Sequence, residues 1–422
     1  MKRSFSILLA VLLLFSGCSF AKQSIKTDGP AAPSGEEASV SSTEETTVEQ
    51  TTLPPEPTVS HLMAAGDIMS HMPLVYDAYI SATDTYDYSH MFTHVKEQLK
   101  NADFAIANLE TVLGGGPNYS GFPNFNSPDA LAYAVKDAGF KLVSTANNHT
   151  KDQGIDGVYR TLYALDKAGL MHVGSYRSEE ERNENSGIVV ADVGGISVAF
   201  LCYTYGLNGY RLSEDQKFAV NIFNLDYYTT LLDFDYDTVD ADMAAARALN
   251  TDLIAFIIHW GVEYQNAPNS YQKQIAAHLF EQGADIIFGG HPHVLQPYES
   301  VEVTDINGNQ KQGFVIYSMG NFISNQQEEP ATKTTVVLDL ELTKDPLSGK
   351  TEITDISYVP YFMLHRDDLP TGQRRTLVNI HKAMAEYQSG TSKNINASAY
   401  SSLQRALEHC HSILGSDGDK AN

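Results

Sequence analysis

From about residue 59 onward, apolar runs of strand length alternate with longer amphipathic segments, and several of the runs stop on side chains that bind cations or carry protons. "HLMAAGD" (61–67) stops at Asp67, "DFAIANLE" (103–110) at Asn108 and Glu110, and "FKLVSTANNH" (140–149) at Asn147, Asn148 and His149. "DLIAFIIHW" (252–260) reaches His259, and "DIIFGGHPH" (285–293) stops at His291 and His293. The segments 90–102, 127–139, 154–169, 239–251 and 270–284 have helical spacing. The second reads as opening on a Ser127 N-cap followed by proline and closing on glycine. Strands separated by helices need crossover connections, which predicts an α/β fold with mostly parallel pairing and helices covering the sheet. The carboxyl ends of parallel strands share one edge, where open α/β folds bind ligands. Residues far apart in sequence are thereby expected in one site.

Later in the chain the pattern changes. "GFVIYSMGNFI" (313–323), "KTTVVLDLELT" (333–343) and "TEITDISYVPYFM" (351–363) read as strands without intervening helices, which predicts an antiparallel portion. Two helical patterns separated by a polar gap follow in 373–414. At the other end, Lys2 and Arg3 precede a short apolar stretch and "FSGC", the pattern of a signal peptide over 1–17 with Cys18 as the lipidated residue. The alternative is an ordinary secreted protein. Residues 18–57 are rich in Ser, Thr, Glu and Pro and read as a disordered tether. A folded domain is expected over 58–365 and a C-terminal helical segment over 366–422. Cys202 and Cys410 make no disulfide framework. The net charge of −24 argues against non-specific nucleic-acid binding, which needs a basic face.

The donors at the strand ends are carboxylate, amide and imidazole without cysteine, a set that suits Mn, Fe, Zn or Mg. A carboxylate can bridge two cations, and two cations can hold a phosphate and acidify a water. Each donor also has a plain structural reading: Asp67 as a helix cap, Glu110 as an exposed charge, His259 as a core imidazole. The glycines of "GGHPH" would let the backbone approach the site closely, and Pro292 would stiffen the loop that aims the histidines.

"AAGDIMSH", "ANLET", "ANNHTKDQG", "HWGVEY", "GGHPHVLQP" and "SMGNFI" resemble, in that order, the motifs of the CapA family of poly-gamma-glutamate capsule biosynthesis proteins. The resemblance covers roughly 60–365. It implies a metallophosphatase-like fold related to calcineurin-type phosphoesterases: a sandwich of mixed, largely parallel β-sheets flanked by helices. It also implies two divalent metal ions. By this likeness Asp67 is a metal ligand, Glu110 takes the bridging carboxylate's role with Asn108 in support, and Asn148, His259, His291 and His293 are ligands. His149 corresponds to the general acid. Asp152 either orients His149 or caps the helix that follows. The histidine normally found two residues after the first aspartate is replaced by Met69, and His71 either compensates or is unrelated. Glu263, Tyr264, Gln296 and Asn321 are possible neighbours of the site, or loop structure.

The resemblance implies a protein lipid-anchored outside the cytoplasm on the bacterial cell membrane through Cys18. It would work in synthesis or export of poly-gamma-glutamate, alongside polymer-synthase membrane components and an anionic polymer or phosphoester substrate. The alternative is a metal-dependent phosphoesterase or gamma-glutamyl hydrolase acting on an extracytoplasmic substrate.

Overall fold

The computed structural model describes residues 55–420 apart from 329. The expected signal peptide, Cys18 and the tether up to residue 54 lie outside the described residues. In chain order the strands are β1 (Thr58–Ile68), the short pair β2 (Tyr79–Ile80) and β3 (Thr85–Tyr86), β4 (Phe104–Leu109), β5 (Leu142–Ser144), β6 (Met171–Val173), β7 (Val189–Val193) and β8 (Ile196–Thr204). There follow β9 (Leu253–His259), β10 (Ile286–Gly290), β11 (Leu295–Thr304), β12 (Gln310–Met319), β13 (Asn321–Ile323), β14 (Thr334–Lys344), β15 (Thr351–His365) and β16 (Arg375–Asn379).

All but the separate β2–β3 pair form two mixed sheets packed face to face. The eight-stranded sheet has the order β16-β15-β14-β1-β4-β5-β6, with β13 also paired to β1, and the six-stranded sheet has the order β11-β12-β10-β9-β8-β7. The pairs β1–β4, β4–β5 and β5–β6 are parallel in the first sheet, as are β8–β9, β9–β10 and β10–β12 in the second. The late strands β14, β15 and β16 pair antiparallel, as expected. The expected single edge is therefore two edges, one per sheet.

Period-two alternation in the strands builds the layers. In β1, Leu62 and Ala64 face the second sheet in the central core. Met63 and Ala65 face the other way, onto Leu131 and Val135 of helix Ala130–Ala138 and Leu162 and Leu165 of helix Gly154–Ala168. In β9, Ala255 and Ile257 face the central core, while Phe256 and Ile258 pack with Met243 and Leu279 of helices Tyr236–Ala248 and Ser270–Glu281. Burying a side chain such as Leu62 contributes about 2 kcal/mol.

Four local expectations are corrected. The helix expected over 90–102 is a 3-10 turn, Ser89–Phe92, followed by the short helix Lys96–Lys100. Ser127 is not an N-cap: its hydroxyl bonds Thr111 Oγ1 at 2.6 Å, and the helix starts later, after Asp129. The run 313–323 breaks at Gly320, with φ +67°, into β12 and β13, which belong to different sheets. The segment after 365 is not wholly helical. Its strand β16 extends the first sheet, and helix Ala397–Leu414 puts Cys410 and Leu414 into the central core.

Among the described residues no helix is long and apolar enough to cross a membrane.

Candidate metal centre

The two sheets bring their donors to one seam. β1 supplies Asp67, and β4 supplies Asn108 with Glu110 just beyond its end. β9 ends on His259, and the turn after β10 carries His291 and His293. The position of Asp67 is set by close backbone approach. Its amide donates to the Gly320 carbonyl at 2.9 Å, and a Cβ on Gly66 would lie 1.9 Å from the same oxygen. Gly290 approaches the Asp67 carboxylate itself: a Cβ there would be 2.7 Å from Asp67 Oδ1. Gly289 has a different reason, since its Cβ would meet the Tyr317 carbonyl oxygen at 2.1 Å. Both histidines of the turn have left-handed backbones, His291 at φ +95° and His293 at +60°. Such conformations cost roughly 1–3 kcal/mol and persist only where neighbours impose them. Here the His291 amide is held by Asp67 Oδ2 at 3.1 Å, and the Pro292 carbonyl accepts the Tyr264 amide at 2.8 Å.

Asp67, Glu110 and His293 place ligand atoms within 4.8 Å of one another, and so do Glu110, His259 and His291. Glu110 belongs to both groups. It is fully buried, and neither carboxylate oxygen has a hydrogen-bond partner among the described residues. His291 Nδ1 is likewise buried and unpartnered. Buried polar atoms are ordinarily bonded, so a carboxylate and an imidazole left bare against each other call for a cation. His259 Nε2 lies 3.5 Å and His293 Nε2 4.0 Å from Glu110 Oε1.

The supporting groups orient these donors. Asn108 Nδ2 donates to Asp67 Oδ1 at 2.8 Å, and its Oδ1 accepts from Ser144 Oγ at 3.0 Å and Asn147 Nδ2 at 3.3 Å. Asn321 Oδ1 is 3.0 Å from His293 Nδ1, which also lies 3.7 Å from Asp67 Oδ2, while His293 Nε2 faces Glu110. Asn148 Oδ1 sits 2.9 Å from His259 Nε2, while its Nδ2 donates to Asn208 Oδ1 at 3.0 Å.

The close packing of carboxylates and imidazoles shifts the titration of each. Burial opposes ionisation of Asp67, but His293, His259 and Asn108 outweigh it and hold its carboxyl below the usual range. Burial also works against protonation of His293, yet Glu110, Asp67 and Glu263 push it up to about 9. Burial and the neighbouring histidines keep His291 well below its usual value, so its lone pair is free.

His149 stands beside this cluster. Its Nδ1 bonds Asp152 Oδ2 at 2.7 Å, and Phe125 packs edge-on at 4.7 Å between ring centroids. Asp152 Oδ2 also accepts the Phe125 amide at 2.7 Å. The helix-cap reading of Asp152 fails, because the helix begins at Gly154 with Gln153 at the cap position. Burial raises the Asp152 pKa against the opposing pull of His149. His71 is in neither group. It contacts Phe125 at 5.1 Å and accepts the Asn325 amide at 3.3 Å, and burial lowers its pKa to about 4. Glu263 reaches the rim, with Oε1 4.0 Å from His293 Nε2. The Tyr264 ring lies 6.0 Å from that of His293. Gln296, in β11, braces the neighbouring loop: its Nε2 donates to the carbonyls of Gln265 and Ala267 at 2.7 and 3.2 Å. Sequence reasoning missed Phe125, Asn208 and Tyr205, whose ring centroid lies 4.6 Å from that of His291, with the planes tilted by 49°. Tyr205 follows β8, another parallel strand, so the same strand-end rule points to it.

A family model described as Bacterial capsule synthesis protein PGA_cap matches residues 61–326, a span that holds every one of these residues. The chain belongs to that family. It is 31% identical over 268 residues to the capsule biosynthesis protein CapA of Bacillus anthracis, covering 62% of this chain and 59% of the relative. It is 27% identical over 269 residues to the PGA biosynthesis protein CapA of Bacillus subtilis (strain 168), covering 63% of this chain and 64% of that one. The chain thus spans less than two thirds of the length of these curated relatives. Among solved structures, the calcineurin-like phosphoesterase YfkN from Bacillus subtilis is similar, with a TM-score of 0.43 and 13% identity over 84% of this chain and 98% of that one. Membership of the PGA_cap family covers the whole seam between the sheets, from Asp67 to Asn321.

Proposed function

We propose that this protein serves the synthesis or export of a poly-gamma-glutamate-type surface polymer outside the cytoplasm, through a site for two divalent cations. The observation that carries the cation site is Glu110, buried with both oxygens bare and shared by the group of His259 and His291 and the group of Asp67 and His293. The polymer comes from the family and from the names of the CapA relatives. In this reading Cys18 anchors the chain to the membrane, beside membrane components of a polymer synthase.

One position would use Asp67, Glu110 and His293, and the other Glu110, Asn148, His259 and His291. Divalent cations there would supply Lewis acidity toward an anionic oxygen and acidify a water. The chain's own residues do the rest. Asn108 and Asn321 fix the faces that Asp67 and His293 present. Asp152 holds His149 through Nδ1, which leaves Nε2 to keep or give a proton.

That His149–Asp152 pair favours a second reading, hydrolysis of a phosphoester or a gamma-glutamyl amide, because a pure binding site has no need of an oriented imidazole. The purified full chain decides between them. Its metal content is measured, and it is assayed on bis(4-nitrophenyl) phosphate, 4-nitrophenyl phosphate and a gamma-glutamyl anilide, with His149→Ala as control. Metal uptake with turnover lost in His149→Ala supports hydrolysis. Metal uptake with no turnover on any class leaves a binding role in polymer assembly, and no metal in a folded protein sinks the site.

A further inference from the structure

We infer that Glu263 is a further ligand of this centre, reaching it beside His291 and His293. The inference rests on the cation-site reading above. The position as built from buried groups has three protein donors, Asp67, Glu110 and His293. Met69 is buried and offers no hard donor. His71 belongs to none of the mutually close groups, and its Nδ1 accepts the Asn325 amide at 3.3 Å. Glu263, by contrast, forms a mutually close group with His291 and His293, with its Oε1 4.0 Å from His293 Nε2. That nitrogen is the free one, since Nδ1 is on Asn321. The unpartnered His291 Nδ1 is an independent sign that donors here await an ion.

An acidic residue on a loop is ordinarily a solvated charge, but this loop is not an ordinary one. Gly261 has φ +88° and Tyr264 has φ +64°, a strained backbone for a tyrosine. The Tyr264 amide is tied to the carbonyl of Pro292, between the two histidines. The buried Gln296 side chain grips the carbonyls of Gln265 and Ala267. Gln296 is itself held by Gln272 Nε2 at 2.9 Å, and Gln272 forms the capping box of helix Ser270–Glu281. Two buried glutamines and a strained tyrosine thus fix the segment that presents Glu263 to His293. A freely solvated carboxylate needs none of this.

The arrangement makes the two cation positions unequal. The Asp67 and Glu110 side chains are 0% exposed, whereas that of Glu263 is 45% exposed. One position is closed by buried donors. An ion that Glu263 helps to hold meets a carboxylate that water reaches, so it is the exchangeable one.

The full chain is stripped with a chelator and titrated with Mn2+, and bound ions are counted by calorimetry and elemental analysis. Wild type is expected to take up two ions of different affinity. Glu263→Gln should weaken the second by about tenfold or more, as expected for loss of a contributing group, and leave the first unchanged. Glu110→Gln should weaken both. The half-exposed Glu263 side chain makes its substitution tolerable to the fold, which circular dichroism checks. Two ions bound by Glu263→Gln with wild-type affinities would overturn the inference alone. A wild type that binds no ion would overturn the cation-site reading itself.

Discussion

Asp152 holds two things with one oxygen, the imidazole of His149 and the amide of Phe125. Asp152→Asn keeps the shape but offers the imidazole an amide that can face either way. On whichever substrate class is turned over, turnover should fall between about tenfold and a thousandfold, within the range for a positioned acid or base. Metal content should stay at the wild-type level, and the two measurements made side by side check it. Unchanged turnover would mean His149 works without an orienting partner. The two readings of Asp152 were inseparable in the sequence, because three residues of spacing suit a cap as well as a histidine partner. Only the start of the helix at Gly154 decides it. The strand-end donors were legible for a physical reason: an apolar run that stops on a charged or imidazole group fixes both where the group is and which way the strand points. Asn208 and Phe125 sit on loops, whose paths no periodicity dictates.

Helix Met72–Ala78 is fastened to the distant end of the chain by one side chain. Asp77 accepts the amides of Gly372, Arg374 and Arg375 at 2.7, 3.1 and 2.9 Å, and His90 Nε2 at 2.9 Å. Asp77→Ala leaves those amides without their acceptor and should destabilise the protein by about 2 kcal/mol, read from urea denaturation. Burial opposes ionisation of Asp77, and the bonds from His90, Gly372 and Arg375 overcome it, so the folded carboxyl lies below its ordinary 3.8. A depressed carboxylate stabilises fully above the unfolded value and loses that contribution as pH falls through the folded one. The wild type should therefore lose stability below about pH 4 more steeply than Asp77→Asn, and equal slopes would exclude the fastening role. At this scale the alternation of strands and helices was plain in the sequence. Which strand joins which sheet was not, because both sheets use the same apolar pattern. The break at Gly320 shows the difficulty: the run 313–323 has one composition, yet a single positive φ sends its two parts to opposite sheets.

The C-terminal segment is part of the fold, not an appendage. Leu403 and Ala406 pack on Phe362, Leu364 and Val378, and the tail closes by the Lys420 amide donating to the Tyr358 carbonyl at 2.9 Å. Asp419 Oδ2 accepts from both His381 and His411, at 2.8 and 2.7 Å, joining the last two helices. A chain ending at residue 365, the border the sequence pattern suggests, would bare this apolar face and remove Cys410 and Leu414 from the central core. It is expected to be insoluble or to lack a cooperative melting transition, whereas the full chain melts cooperatively. A soluble, cooperatively folded product ending at 365 would show the helices to be dispensable. The border misled because polar turns around 366–373 look like the end of a domain, and the short strand β16 carries too few residues to announce itself.

The seam between the sheets has one more consequence. Asp67, Glu110 and Asn148 come from the chain before residue 150, and His259, His291 and His293 come from the chain after residue 250. Neither stretch owns enough donors to retain an ion by itself. An ion held there staples the first half of the polypeptide to the second, and it can stay only while both sheets keep their register. The metal content of a preparation would then be a census of molecules that have finished folding.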